Sequence, residues 1–313
     1  MRLVLNATFP LYLIIALGFL SRKIGVFKAG DERVLTHYVY YFALPALIIL
    51  NIGQMTITHH RLIFIGISFL PAALALTIIL SLYFLTGFSR NTLYLLIFST
   101  VFGNLAFLGI PFVSSIYPSA PDRQLIIFSA VDINTLGLII CLVVLELYHM
   151  EKWSLRSGLK YIIGKLVRNP LVLSFIAGIG LAVLHADLPA PLSVSMEMFA
   201  RTSSPLAVFM LGTFLSGRNF HHLFQAFKLS LIRLIFLPAL ALPVSVLFGL
   251  PKMESTLLTL MYGMPAAVSL IILSERYDFY RETIPSLVLI SLLGSALSLN
   301  FWLVLLLRFH FIR

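Results

Sequence analysis

Two apolar stretches of this chain carry glycine and proline at spacings that break a helix. Residues 103–111 read GNLAFLGIP, and residues 262–265 read YGMP. Proline lacks a backbone N–H and clashes with the preceding turn, while glycine lowers the cost of leaving the helical conformation. If the two broken helices cross, their N-terminal ends present positive partial charge, to which Asn104 adds hydrogen-bond donors. This pattern predicts an anion-binding site; the alternative is a pair of kinked helices that only pack closely. The residues assigned to the site are Gly103, Asn104, Gly109, Pro111, Gly263 and Pro265.

Two further apolar segments contain a proline, at residues 43–45 (ALP) and 203–205 (SSP), and we expect both segments to be interrupted there. The serine hydroxyls would either line a cavity or satisfy carbonyls that the proline frees. Arg201 lies beside the second position and offers two parallel hydrogen bonds to a carboxylate. Glu197 lies one turn earlier, so an internal ion pair is the alternative. The further candidates for substrate binding are therefore Pro45, Ser203, Ser204 and Arg201.

Ionisable side chains inside apolar segments are costly to bury and often mark ion pathways. Asp132, with Asn134 nearby, is the best-placed candidate for binding a coupling proton or sodium ion, and Glu197 is a further one. A solvated or structural carboxylate is the alternative for Asp132. The eight histidines and the single Cys141 show no metal-ligand spacing, and catalytic motifs are absent. We therefore expect no metal, no cofactor and no enzymatic activity.

The elements that must position these residues are membrane helices. The 313 residues are 60% hydrophobic and 11% charged, with a mean hydropathy of +1.01. A soluble domain has about 25% charged residues, so a soluble enzyme, a secreted domain and a disordered protein are excluded. Since a span needs about 20 apolar residues, the sequence predicts an all-α integral membrane protein with ten transmembrane helices. The expected spans are roughly residues 3–20, 34–54, 62–87, 92–117, 124–148, 170–185, 190–216, 226–249, 254–274 and 284–307.

The basic residues predict the orientation of these spans, because lysine and arginine are enriched on the cytoplasmic side. With the N-terminus outside, 15 of them fall on cytoplasmic connections, Arg233 among them, against 6 outside. Both termini are therefore expected outside, and the net charge of +10 needs no nucleic acid to explain it. The connection at 151–168 reads as a cytoplasmic amphipathic helix lying on anionic lipid headgroups.

The segments on either side of this connection repeat one another, which divides the chain into 1–150, the linker 151–168, and 169–313. Pro10, Pro45 and Gly103 recur 160 residues later as Pro170, Pro205 and Gly263. Because each unit contains five spans, an odd number, the second must be inverted relative to the first. Two inverted five-helix repeats with broken helices in matching positions are typical of secondary transporters.

Several short motifs follow one another along the chain. They are YFALPAL at 41–47, GN at 103–104 with LGIP at 108–111, RNPL at 168–171, SPLA at 204–207 with LG at 211–212, and PAA at 265–267. In this order they resemble the auxin efflux carrier family, specifically its small bacterial members, over essentially the whole chain. The resemblance implies a fold like that of bile-acid symporters and sodium–proton antiporters, in which broken helices four and nine cross at the substrate site. Asn104, Gly109, Pro111 and Pro265 match this crossing region, whereas Arg201 matches no family feature.

The family's substrates are organic anions, auxin in plants and dicarboxylates such as malate or malonate in some bacteria. We therefore expect a secondary transporter of a mono- or dicarboxylate in the bacterial inner membrane, working by alternating access with H⁺ or Na⁺ as the coupling ion. The family also suggests a homodimer, for which the sequence shows no interface signal. The alternatives are a membrane receptor or structural protein without transport, and an anion channel.

Overall fold

The computed structural model describes residues 2–28, 30–56, 58–149, 163–164, 167–216, 220–309 and 311. The predicted amphipathic helix at 151–168 falls almost entirely outside these residues. Within the described residues the chain forms twelve helices and no strand. They are α1 (Arg2–Lys23), α2 (Asp31–Gly53), α3 (His59–Thr86), α4 (Arg90–Val101), α5 (Leu105–Ile116), α6 (Ala120–His149), α7 (Pro170–Leu184), α8 (Ala190–Leu215), α9 (Leu223–Leu247), α10 (Lys252–Tyr262), α11 (Ser269–Arg276) and α12 (Thr283–Arg308).

Six of the described helices are long and apolar enough to cross a membrane, namely α2, α3, α6, α8, α9 and α12. The helices α5 and α7 are apolar but shorter. The all-helical architecture expected from the composition is thus confirmed for this part of the chain. Ten spans in two inverted repeats stay a prediction.

The fourth and ninth predicted spans are each broken into two helices. Between α4 and α5 the chain leaves the helix at Phe102, whose φ of −110° and ψ of 98° are extended. Between α10 and α11 it leaves the helix after Gly263, and helical structure resumes at Ser269. Both breaks therefore lie at the glycines, whereas Pro111 comes later, inside α5.

Three π-helical turns, Val39–Ala43, Leu105–Gly109 and Ile232–Phe236, show how prolines are accommodated. Each turn ends two residues before a proline, at Pro45, Pro111 and Pro238. A π turn bonds i to i−5, as Leu44 N–H does to the carbonyl of Val39. The wider turn shifts the hydrogen-bond register just where a proline has no N–H to donate.

The expected interruption at residues 203–205 is wrong, and the one expected at residues 43–45 is a π turn within a helix that continues. The helix α2 runs through Pro45, because the preceding π turn absorbs it. The helix α8 runs unbroken from Ala190 to Leu215 with Pro205 inside it. Proline in membrane-type helices often leaves the helix intact, since neighbouring groups satisfy the carbonyl that it frees.

The described helices group into two compact units. Unit 1 comprises Met1–Leu62, Ala106–Val131 and Lys165–Asn219, and unit 2 comprises Ile63–Leu105, Asp132–Gly164 and Phe220–Arg313. In unit 1, α1 packs along α8, and α2 packs along α7 and α8. Glycines permit the close approach: Gly178 of α7 lies against Ile52 of α2. In unit 2, α9 packs against α10 and α12.

Candidate functional site

The two broken helices meet through their backbones within unit 2. The Asn104 N–H donates to the carbonyl of Pro265 at 2.8 Å, and the Ala267 N–H donates to the carbonyl of Phe102 at 3.1 Å. Gly103 and Ala266 thereby form an isolated antiparallel bridge. Each break thus satisfies backbone groups that the other leaves free, as buried N–H and C=O groups require.

Arg233, on the π turn of α9, completes this crossing. Its side chain is fully buried. Its Nε donates to the carbonyl of Met264 at 2.9 Å, and its Nη1 donates to the carbonyl of Thr100. In a continuous helix the Thr100 carbonyl would accept a hydrogen bond from the Asn104 N–H, which here donates to the carbonyl of Pro265 instead. One guanidinium therefore caps both breaks.

The third nitrogen of Arg233, Nη2, is buried and has no hydrogen-bond partner within the described residues. No described carboxylate lies within 4.0 Å of the guanidinium, because the ion pairs of this part of the chain involve other residues. A buried donor without a partner costs about 1–3 kcal/mol, and more when it is charged. The crossing therefore contains a buried cationic group with no described ion-pair partner, one nitrogen of which donates to no described group.

The predicted glycine and asparagine lie at this place. Gly103 lies directly against the guanidinium: a Cβ added there would overlap Nη2 and lie 2.6 Å from Cζ. Asn104 is 3% exposed. Pro265 contributes its carbonyl to the bridge, and Gly263 ends α10. Unit 2 thus brings four predicted site residues together, with Arg233 as a fifth.

Asp132 belongs to unit 2 and lies half-buried on α6, as does Asn134. Its Oδ2 accepts a hydrogen bond of 2.9 Å from the hydroxyl of Ser68 on α3. The carbonyl of the same serine accepts a hydrogen bond of 2.6 Å from Tyr262, the last residue of α10. Tyr262 is also the residue before Gly263, where the ninth predicted span breaks. The predicted ion site and the helix crossing therefore share a neighbour.

The remaining predicted residues belong to unit 1. Arg201 and Glu197 form an i,i+4 ion pair of 2.8 Å with side chains 77% and 56% exposed, which is the alternative that the sequence left open. Both line a polar cavity of about 480 Å³ together with Ser204. Ser203 is buried and donates to the carbonyl of Ala200, not to the carbonyl that Pro205 frees. The other members of the predicted set in this unit are Pro45 on α2 and Gly109 and Pro111 on α5.

The prediction that Arg233 lies on a cytoplasmic connection is wrong. The residue lies in the middle of α9, fully buried. The signal was present, since Arg233 lies well inside the apolar segment predicted at 226–249, and a charge at that depth favours a functional residue over a topology marker.

Comparison with known proteins adds a family to this geometry. The family model described as "Membrane transport protein" matches residues 3–303. The chain is 22% identical to an uncharacterised transporter of Escherichia coli over 303 residues, and this aligned region covers 94% of this chain and 95% of that protein. It is 23% identical to an uncharacterised transporter of Methanocaldococcus jannaschii over 298 residues, and this aligned region covers 93% of this chain and 94% of that protein.

Proposed function

We propose that this chain, which belongs to the membrane transport protein family of the auxin efflux carriers, moves a small organic anion by alternating access. It is an integral membrane transporter and not an enzyme. The observation that carries this proposal is the buried Nη2 of Arg233, a charged donor without a partner in the described structure. A guanidinium is a specific ligand for a carboxylate, because its N–H groups match the carboxylate oxygens. A substrate carboxylate would satisfy both the donors and the charge.

The surroundings of Arg233 support an anion further. The helices α5 and α11 begin at Leu105 and Ser269, immediately after the two breaks, so their N-terminal N–H groups add positive partial charge near the crossing. The Asn104 amide supplies a neutral hydrogen-bonding group. We assign substrate binding in unit 2 to Arg233, Asn104 and the backbone around Gly103 and Pro265. No buried charged donor of this kind supports the candidates in the described part of unit 1, which are Pro45, Gly109, Pro111, Arg201, Ser203 and Ser204.

The resemblance to small bacterial members of the family places the protein of this proposal in the bacterial inner membrane. We place both termini outside, because most lysines and arginines then fall on the cytoplasmic side. The coupling ion in the proposal is H⁺ or Na⁺, with Asp132 as its site and Asn134 and Glu197 as the other candidates.

The test is ligand stabilisation of the purified protein with lactate, pyruvate, malonate and malate. A ligand that binds only the folded state stabilises it by about 2.7 kcal/mol at a hundredfold excess over Kd. We expect at least one carboxylate to raise the apparent Tm of the wild type. The same carboxylate should exchange across the membrane of proteoliposomes, which a receptor would not support.

The matched variants are Arg233→Lys, Arg233→Gln and, as a control, Arg281→Gln, an exposed arginine of the same unit. We expect Arg233→Gln to lose the carboxylate-induced rise in Tm, Arg233→Lys to keep part of it, and the control to keep all of it. If Arg233 only caps the broken helices, its variants would melt earlier yet respond to carboxylate as the wild type does. That result, or the absence of any response in the wild type, would refute the proposal.

A further inference from the structure

Asp132 and Ser68 form a pair whose geometry suits either protonation state of the carboxyl group. The Ser68 hydroxyl oxygen lies 2.9 Å from Asp132 Oδ2 and 2.7 Å from the carbonyl of Ile65. A serine hydroxyl has one proton to donate but two lone pairs with which to accept. With ionised Asp132 the hydroxyl donates to the carboxylate. With protonated Asp132 the hydroxyl oxygen accepts a hydrogen bond from the carboxyl O–H and donates its own proton to the carbonyl of Ile65.

Few charged groups face Asp132 from the helices packed around it. From α3 Ser68 contacts Asp132, and from α10 the Tyr262 hydroxyl donates to the carbonyl of the same serine. Cys141, on α6 itself, lies with its Sγ 3.9 Å from the carbonyl of Phe98. No described lysine or arginine pairs with Asp132 within 4.0 Å. Its charge is therefore not fixed by a neighbouring cation, which leaves protonation as a means of neutralising it.

The pair is connected to the helix crossing by two hydrogen bonds and a short stretch of chain. Tyr262 holds the carbonyl of Ser68, and two residues further on the carbonyl of Met264 accepts from Arg233. A change at Asp132 therefore reaches the proposed anion site through Ser68, Tyr262 and the break after α10. The connection is a set of contacts within one compact unit.

The summed charge of Arg233, Asp132 and a bound anion indicates when Asp132 would take up a proton. Without substrate, Arg233 and ionised Asp132 together carry no net charge. A bound monoanion brings the sum to −1, and one proton on Asp132 returns it to zero. Since a net charge in a low-dielectric interior is costly, the neutral combinations are the ones that cross readily.

We propose that Asp132 is the proton-coupling site and that one proton accompanies each monocarboxylate, an inference that rests on the proposed function. The proton binds Asp132 Oδ2, and the resulting O–H donates a hydrogen bond to the Ser68 hydroxyl oxygen, whose own proton then points to the Ile65 carbonyl. On release of the anion, the proton leaves and Ser68 again donates to the carboxylate. Transport of a monoanion is then electroneutral, whereas a dianion with one proton moves one negative charge.

The experiment measures uptake of radiolabelled lactate and malonate into proteoliposomes, with protein-free liposomes subtracted. The membrane potential is set by valinomycin and potassium, and the pH gradient is set independently. For the wild type, one pH unit, acid outside, should drive lactate accumulation up to about tenfold. Imposed potential should leave lactate uptake unchanged but alter malonate uptake, and a sodium gradient should have no effect.

The variants are Asp132→Asn and, as the matched control, Asp122→Asn on the same helix. The readout is the ratio of uptake with and without the pH gradient. It should fall to about one for Asp132→Asn and stay at the wild-type value for Asp122→Asn. An unchanged ratio for Asp132→Asn overturns the inference. If that variant carries no anion, the wild type decides: lactate uptake driven by potential or by sodium overturns the inference, and electroneutral, pH-driven uptake supports it.

Failure of the proposed function gives a different result. If no carboxylate binds or exchanges in the wild type, the anion site itself is refuted and the proton inference falls with it. If carboxylates bind and exchange but the pH gradient has no effect, only the role of Asp132 is refuted.

Discussion

Gly103→Ala is the sharpest perturbation of the helix crossing, because it adds one methyl group against one side chain. Gly103 does not have positive φ, so the backbone itself accepts alanine. The added Cβ would overlap Nη2 of Arg233 and would lie 2.6 Å from Cζ and 3.1 Å from Nε. Ordinary contact between such atoms is at about 3.5–4.0 Å, so the guanidinium must move by about 1 Å or more.

That movement acts on the two hydrogen bonds that hold the guanidinium. The bond from Nε to the Met264 carbonyl is 2.9 Å long, and a further 1 Å exceeds hydrogen-bond distance. Losing one or both charge-assisted bonds in a buried place costs about 2–4 kcal/mol. For a chain of this size we expect a fall in apparent Tm of about 5 °C or more, together with loss of the carboxylate-induced rise.

The assay is thermal unfolding of the purified variant with and without carboxylate. The control is Gly66→Ala on α3 of the same unit, where an added Cβ meets nothing within 4 Å. This control should be neutral or stabilised by about 0.5–1 kcal/mol, because alanine restricts the unfolded chain. Equal Tm values for the two variants would show that Arg233 is not packed against Gly103.

A double-mutant cycle isolates the clash itself. In an Arg233→Met background the guanidinium is gone, so Gly103→Ala should cost less than in the wild type, with a coupling energy of about 1 kcal/mol or more. Additive effects of the two substitutions would show that the added Cβ at residue 103 does not clash with the guanidinium of Arg233. Both single variants and the double variant are measured under the same conditions, so that a general loss of stability does not pass for coupling.

Two further predictions concern unit 1. Gly212→Ala should destabilise the protein by about 1–3 kcal/mol, because the added Cβ would overlap the backbone carbonyl of Ile15 on α1, which cannot rotate away. Gly180→Ala, with nothing within 4 Å of its Cβ, is the control, and thermal unfolding distinguishes them. Glu197→Gln should change stability by no more than about 1 kcal/mol, since its ion pair with Arg201 is exposed. A larger loss of Tm would mean that this pair supports the packing of α8.

The breaks in the fourth and ninth spans could be predicted because they depend on local chemistry. The glycines at 103 and 263 mark where the two helices end, and backbone groups freed by one break pair with the other. The prolines were a weaker guide. Pro45 and Pro205 lie in continuous helices, because a π turn precedes the first and α8 accommodates the second. Proline thus indicates altered hydrogen bonding, and only the surrounding structure decides whether the helix ends.

The role of Arg233 could not be predicted from motifs, because it depends on contacts far apart in the sequence. Its partners, Thr100 and Met264, lie 133 and 31 residues away. The same holds for Asp132, whose hydrogen bond to Ser68 spans 64 residues. Sequence patterns indicate which residues are costly to bury, and the fold determines what each of them meets.

The broken helices and the buried arginine are best understood together. Each break leaves a carbonyl without its helical partner, and Arg233 donates to one from each side, at Thr100 and Met264. Two N–H-bearing nitrogens are used in this way, and the third, Nη2, is left over. Capping two carbonyls requires only two of the three nitrogens and requires no charge, whose burial is costly. The surplus donor is therefore the strongest physical argument that this crossing binds an anion. We therefore expect Arg233→Met to lose the carboxylate-induced rise in Tm in addition to the stability that the two hydrogen bonds contribute.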